Sequence, residues 1–174
     1  MKRWSWLLVA LGVPVLGGAL FVAWGTTLPV EHTAVATTDV TAPPDVVYDL
    51  ITDPRRGPEW RADVQRVEIQ SDRRWIEHGE EPLILEVRTA DRPRRFTTEV
   101  VEHPAFGGTW TWELQSNPDG THVILTEDGV VYDPFFRAVM TAMSWESANI
   151  ETRLAELNDH FGKTRSSVNR EKGL

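Results

Sequence analysis

The chain has 174 residues, no cysteine and a formal charge of −8, with 18 Lys and Arg against 26 Asp and Glu. Without cysteine, thiolate catalysis, iron–sulfur clusters, Cys-ligated zinc and disulfides are excluded. The acidic balance disfavours nucleic acid as a partner, since phosphate binding needs a basic face, and it disfavours electrostatic adhesion to anionic lipid.

The first 24 residues stand apart. Met1-Lys2-Arg3 precedes the run from Trp4 to Trp24, which holds no charged side chain. As a helix that run would be about 31 Å long, against a hydrocarbon core of about 30 Å. Trp4 and Trp6 at one end and Trp24 at the other suit the two membrane interfaces. Pro14 and Gly17-Gly18 are bends that a spanning helix tolerates. The expectation is an uncleaved transmembrane helix over residues 4–24, with residues 1–30 as anchor and tether. Lys2 and Arg3 put the amino terminus in the cytoplasm and the rest of the chain on the periplasmic or extracellular side, a single-pass topology resting on two charges. A cleaved signal peptide is the rival reading. Against it, Ala23-Trp24-Gly25 is a poor cleavage site and the apolar core is long. The remainder is large enough for one domain with its own core.

After the tether, His32–Val40 reads as a strand rich in Thr and Val. Ala42-Pro43-Pro44-Asp45 is a helix start, and Val47, Leu50 and Ile51 give a short amphipathic helix that Asp53-Pro54 closes. Arg55 to Trp60 forms a second brief helical turn. Strands are expected over residues 64–70, 74–78, 83–89, 95–101 and 109–114, and over 121–131 after the turn Asn117-Pro118-Asp119-Gly120. Asp133-Pro134 caps a last helix of about seven turns. Its apolar stripe is Phe136, Met140, Met143, Ile150, Leu154, Leu157 and Phe161, with Ser147 in the remaining slot. Gly162 is expected to end it, leaving residues 163–174 as a polar tail.

The ordered set of patterns resembles a known family. The stretch from Val40 through Asp53-Pro54, then Trp60, is similar to the opening of START-like polyketide cyclase/dehydrase proteins of the SRPBCC superfamily. Gly107-Gly108-Thr109-Trp110-Thr111-Trp112-Glu113-Leu114 with Gly120-Thr121 is similar to its late hairpin, and Asp133-Pro134-Phe135-Phe136-Arg137 to the start of its carboxy-terminal helix. The resemblance covers residues 31–161. It implies an α+β helix-grip fold: a curved antiparallel sheet wrapped around the long helix, with two short helices after the first strand, over residues 31–162. It also implies an internal cavity for lipids, sterols, polyketides or other apolar molecules. The anchor lies outside the resemblance.

Alternation assigns the sheet faces. Leu83, Leu85 and Val87 share one face of their strand, as do Phe96, Thr98 and Val100, then Trp110, Trp112 and Leu114, then Val123 and Leu125. Glu86, Arg88, Glu99, Thr109, Thr111 and Glu113 fall on the opposite, wet face. The candidate ligand-binding residues are Trp60, Leu85, Val87, Phe96, Thr98, Trp110, Trp112, Val123, Leu125, Met140 and Met143. For any one of them core packing is the preferred reading, and the functional reading needs the set to leave a void. Trp110 and Trp112 are the leading pair, because two indoles on one face offer broad flat walls with NH donors. Trp60 stands beside the short helices where a cavity mouth would lie, with Trp75 a weaker candidate. Met140 and Met143 suit an adaptable wall.

Catalytic chemistry is thin. None of the five histidines has a metal-ligand spacing, and most read as surface residues, His122 on the polar strand face. Ser144 and Ser147 lack a nucleophile elbow. Glu127 alone alternates with Val123 and Leu125. A buried carboxylate there could serve as a general acid or base, but a bend near Gly129 that frees it to solvent is the preferred reading. No metal, cofactor or catalytic set is assigned. The reading is a membrane-anchored binding domain for a hydrophobic or amphipathic small molecule. The alternatives are a protein-interaction module using the same groove and a cyclase- or dehydratase-type enzyme with Glu127 as its acid.

Overall fold

A computed structural model describes residues 17–143 and 148–171, with side chains described as far as Gly162. The first element is helix α1, over residues 17–27. Seven antiparallel strands then form one sheet: β1 (Glu31–Val40), β2 (Arg66–Ser71), β3 (Arg74–His78), β4 (Leu83–Asp91), β5 (Arg95–Val101), β6 (Phe106–Asn117) and β7 (Gly120–Val131). Their order is β1-β7-β6-β5-β4-β3-β2, so β2 to β7 follow one another as a meander and β1 closes on β7. The expected strands are all present, and β6 begins three residues earlier than the sequence pattern suggests. Gly120 makes the β6–β7 turn possible. Its φ is +152°, and a Cβ there would come within 2.2 Å of the Val40 carbonyl oxygen.

Between β1 and β2 lie α2 (Pro44–Thr52), a 3₁₀ turn (Pro54–Arg56) and α3 (Gly57–Trp60). Asp53 caps the 3₁₀ turn by accepting from the Arg55 amide at 3.1 Å. After β7 the chain forms α4 (Pro134–Met143) and α5 (Ala148–Glu171). Asp133 Oδ1 accepts the Phe136 amide at 2.8 Å, the cap its sequence implies. Helix α5 runs through Gly162 to Glu171, past the expected end. Residues 144–147, with Ser144 and Ser147, lie outside the described residues.

The inner face of the sheet grips α5. Ile150, Leu154, Leu157 and Phe161 join Leu85, Phe96, Val100, Trp112, Leu114, Val123 and Leu125 in one buried cluster, with Val47, Tyr48 and Leu50 from α2. That burial is the main stabilising term. This is the helix-grip α+β fold. Thr111, expected on the wet face, is instead buried, and its hydroxyl lies 3.2 Å from that of Thr97.

The transmembrane anchor is a different matter. Residues 1–16, with Trp4, Trp6 and Pro14, lie outside the described residues. Helix α1 runs through the expected boundary at Trp24 and into the expected tether. Its end is docked on α4. Phe21 meets Phe135 edge-on at 5.8 Å. Arg137 Nε donates to the Gly25 carbonyl at 3.0 Å, and a Cβ on Gly25 would come within 1.8 Å of the Pro134 carbonyl oxygen. Among the described residues no helix is long and apolar enough to cross a membrane. The expectations of a transmembrane helix, a membrane partner through it and a single-pass topology are therefore corrected. Within the described part of the run, Phe21 and Gly25 pack against α4, and Leu20, Val22 and Trp24 are exposed.

Candidate functional site

A cavity of about 390 Å³ lies between one end of the sheet and the helices α4 and α5. Its walls are largely apolar: Val100, Phe106, Trp110 and Val131 from the sheet, Phe136 and Met140 from α4. The polar lining includes His32, Glu127, Asn149 and Thr152. Phe106 and Phe136 stack at 6.3 Å, tying α4 to β6 at the cavity edge.

Glycines shape this region. Gly108 of β6 is paired with Gly129 of β7, and Gly129 with His32 of β1. The φ of Gly108 is +132°, and a Cβ there would meet the Asp128 carbonyl oxygen at 2.3 Å. A Cβ on Gly129 would come within 2.1 Å of the His32 ring. The imidazole therefore lies directly over the bare backbone of β7. This arrangement overturns the bend expected near Gly129. The register continues past it, so Glu127 stays on the inner face with a side chain only 14 % exposed. His32, expected at the surface with most of the histidines, is 18 % exposed and reaches to 3.5 Å from Glu127 Oε1.

A second polar group lies beside the cavity. Arg61 donates to Glu77 Oε1 at 2.9 Å and to both oxygens of Asp63 at 3.1 and 2.8 Å. Glu77 Oε2 is 2.9 Å from Arg61 Nη2, a charge contact without hydrogen-bond geometry. Trp75 Nε1 donates to the same Glu77 Oε1 at 3.2 Å. Arg153 of α5 reaches Asp63 at 3.4 Å, with its guanidinium carbon 4.4 Å from the centre of the Trp110 ring. A cation over an indole face is attractive, more so when desolvated. Burial and the charge of Arg61 pull Arg153 down to about 10, against the opposing pull of Asp63, Glu77 and Glu127. It thus stays charged at neutral pH. Burial also lowers Arg61, but Glu77 and Asp63 outweigh it and hold its value above the ordinary one.

The sequence candidates divide between cavity and core. Trp110, Met140 and Glu127 line the cavity. Leu85, Phe96, Trp112, Val123 and Leu125 lie in the buried core, with Val87 and Trp60 packed against it, and Thr98 is buried on the same sheet face. Trp60 meets Trp112 edge-on at 6.2 Å, so these two indoles fill each other's space. Met143 is 56 % exposed. Sequence reasoning missed His32, Arg61, Glu77 and Arg153. Period two was available for two of them: His32 alternates with Ala34 and Ala36, and Glu77 with Trp75. Among the described residues no group of His, Asp or Glu is placed to hold a metal ion.

Comparison with known proteins agrees with the fold. A START superfamily protein from Mycobacterium smegmatis superposes with a TM-score of 0.63 at 15% identity, covering 76% of this chain and 99% of its own. A protein from Thermus thermophilus gives 0.60 at 21%, covering 77% and 98%. The di-domain ARO/CYC BexL from the BE-7585A biosynthetic pathway gives 0.61 at 16%, covering 80% of this chain but 53% of its own. Among curated proteins no sequence matches significantly. The sequence pattern of one family, described as polyketide cyclase / dehydrase and lipid transport, matches residues 31–162. With the helix-grip sheet and its cavity already evident, that match over most of the chain establishes that the chain belongs to the polyketide cyclase/dehydrase and lipid transport family.

Proposed function

We propose that the chain binds an apolar small molecule in the cavity between the sheet and helices α4 and α5. The observation that carries this reading is the cavity itself: about 390 Å³, walled by aromatic and aliphatic side chains with a few polar groups. Ligand pockets have that size and composition, roughly 300–1,000 Å³ and mostly apolar. The volume suits a molecule of two or three fused rings or a medium acyl chain. Trp110 supplies a flat wall and Met140 an adaptable one. Arg153 stacks its guanidinium on the Trp110 ring, with the carbon 4.4 Å from the ring centre, and holds the indole that forms this wall. The family membership supports the same reading, since its description includes lipid transport.

The test is titration of naphthalene into ¹⁵N-labelled protein, following the indole N–H signals, with Trp110 assigned through Trp110→Phe. A saturable shift of the Trp110 signal is expected, with smaller changes at Trp75 and Trp112. Absence of a saturable response at Trp110, in folded protein and with naphthalene near its solubility limit, would refute the proposal.

A further inference from the structure

We infer that His32 and Glu127 form a hydroxyl-recognising subsite, so that the ligand is an apolar molecule carrying an alcohol, phenol or enol group. The inference rests on the reading of the cavity as a ligand site, and it narrows the chemistry of what enters.

The geometry leaves two complementary groups unused. Strand pairing sets His32 opposite Gly129, and Ala34 opposite Glu127, so both polar side chains rise on the inner face of the sheet. Nε2 and Oε1 are 3.5 Å apart, beyond the 2.7–3.2 Å typical of an N–H···O bond. His32 Nε2 and Glu127 Oε2 are buried without a hydrogen-bond partner. Buried polar atoms are ordinarily paired; both side chains line the cavity, and a ligand group that enters between them supplies the missing partner. Two neighbouring polar groups are engaged elsewhere, and Asn149 completes the polar lining. The Thr152 hydroxyl donates to the Ala148 carbonyl at 2.8 Å, and Arg153 turns to Asp63.

Apart from water, a hydroxyl is the smallest group that answers both atoms. It donates its proton to Glu127 Oε2 and accepts from His32 when the imidazole proton is on Nε2. An ether or ketone only accepts, leaving the carboxylate unmet. A carboxylate ligand adds a like charge beside Glu127. An ammonium meets Glu127 but offers no acceptor to a His32 that carries its proton on Nε2. Gly129 is what permits the arrangement, because any side chain there would drive the imidazole off β7 and out of reach of Glu127.

The test compares naphthalene, 2-naphthol and 2-naphthoate by equilibrium dialysis, with the wild-type chain, Glu127→Gln and His32→Leu. The wild type should hold 2-naphthol about tenfold more tightly than naphthalene, as expected for a hydrogen bond to a charged group, and 2-naphthoate least tightly. The naphthol-to-naphthalene ratio should fall toward one in each variant. Equal affinity of the wild type for naphthol and naphthalene would overturn the subsite, meaning water alone bridges the pair, while leaving the cavity reading intact. A preference that persists undiminished in the folded Glu127→Gln protein would overturn it as well. Binding of neither compound would overturn the cavity reading and the subsite with it.

Discussion

Replacing Glu77 by alanine removes the acceptor shared by Arg61 and the Trp75 indole. The Arg61 and Glu77 side chains are 8 % and 7 % exposed, so water cannot readily replace what is lost. Breaking a buried pair by deleting one partner costs about 3–5 kcal/mol, because the other charge is left uncompensated. Arg61 keeps its two hydrogen bonds to Asp63, which brings the expected loss to the lower end, about 3 kcal/mol. For a urea m-value of about 1–3 kcal/mol/M, the midpoint should fall by about 1–3 M at unchanged slope. The double variant Arg61→Met with Glu77→Leu should recover much of that loss, since an apolar pair of similar volume avoids both desolvation penalties. Fluorescence-monitored urea unfolding of all three proteins measures this. A Glu77→Ala midpoint within about 0.3 M of wild type would show that the pair is too hydrated for the reasoning to hold.

Three further outcomes are expected. Trp112→Ala should cost about 3–5 kcal/mol in chemical denaturation, because the indole is buried against Phe96, Leu125 and the edge of Trp60; a loss under about 1 kcal/mol would place Trp112 beside a void rather than in packed core. Gly129→Ala should destabilise by about 1–3 kcal/mol and move the His32 ring signals in NMR spectra, because the new methyl meets the imidazole; unchanged His32 signals would contradict the packing. Burial pushes the Asp63 carboxyl up, but the hydrogen bonds and charge of Arg61 outweigh it and hold it below its ordinary value of 3.8. Its contribution is therefore present above the unfolded value and disappears as pH falls through the lower folded value. Stability measured from about pH 5 down to about pH 2 should drop less steeply in Asp63→Asn than in wild type, and parallel curves would refute the assignment.

The sheet was legible in the sequence because its signal is local. Strand positions, the inward run Leu85, Phe96, Val100, Trp112 and Leu125, and the stripe Ile150, Leu154, Leu157 and Phe161 follow from periods of two and 3.6. The cavity was less legible. Trp110 and Trp112 share a face and a strand, yet one borders the void and the other packs against Trp60. That difference depends on where α4 and Arg153 come to rest. Arg61 and Glu77 went unassigned because nothing within either segment announces a partner 16 residues away. Glu127 was misjudged because glycine usually signals a break in a strand, whereas Gly129 serves as the floor for a histidine ring from the neighbouring strand. The amino-terminal run misled for a related reason. Hydropathy counts apolar side chains without their contacts: Phe21 and Gly25 meet α4, while Leu20, Val22 and Trp24 of the same run are exposed.

The central claim, that the cavity holds an apolar molecule, is tested most directly by a crystal structure of the chain with 6-bromo-2-naphthol, using anomalous scattering at the bromine edge. The account predicts one dominant bromine peak inside the cavity, in contact with Trp110 and Met140, with the ligand oxygen between His32 Nε2 and Glu127 Oε2. Bromine peaks confined to the protein surface, or an empty cavity at saturating ligand, would contradict it.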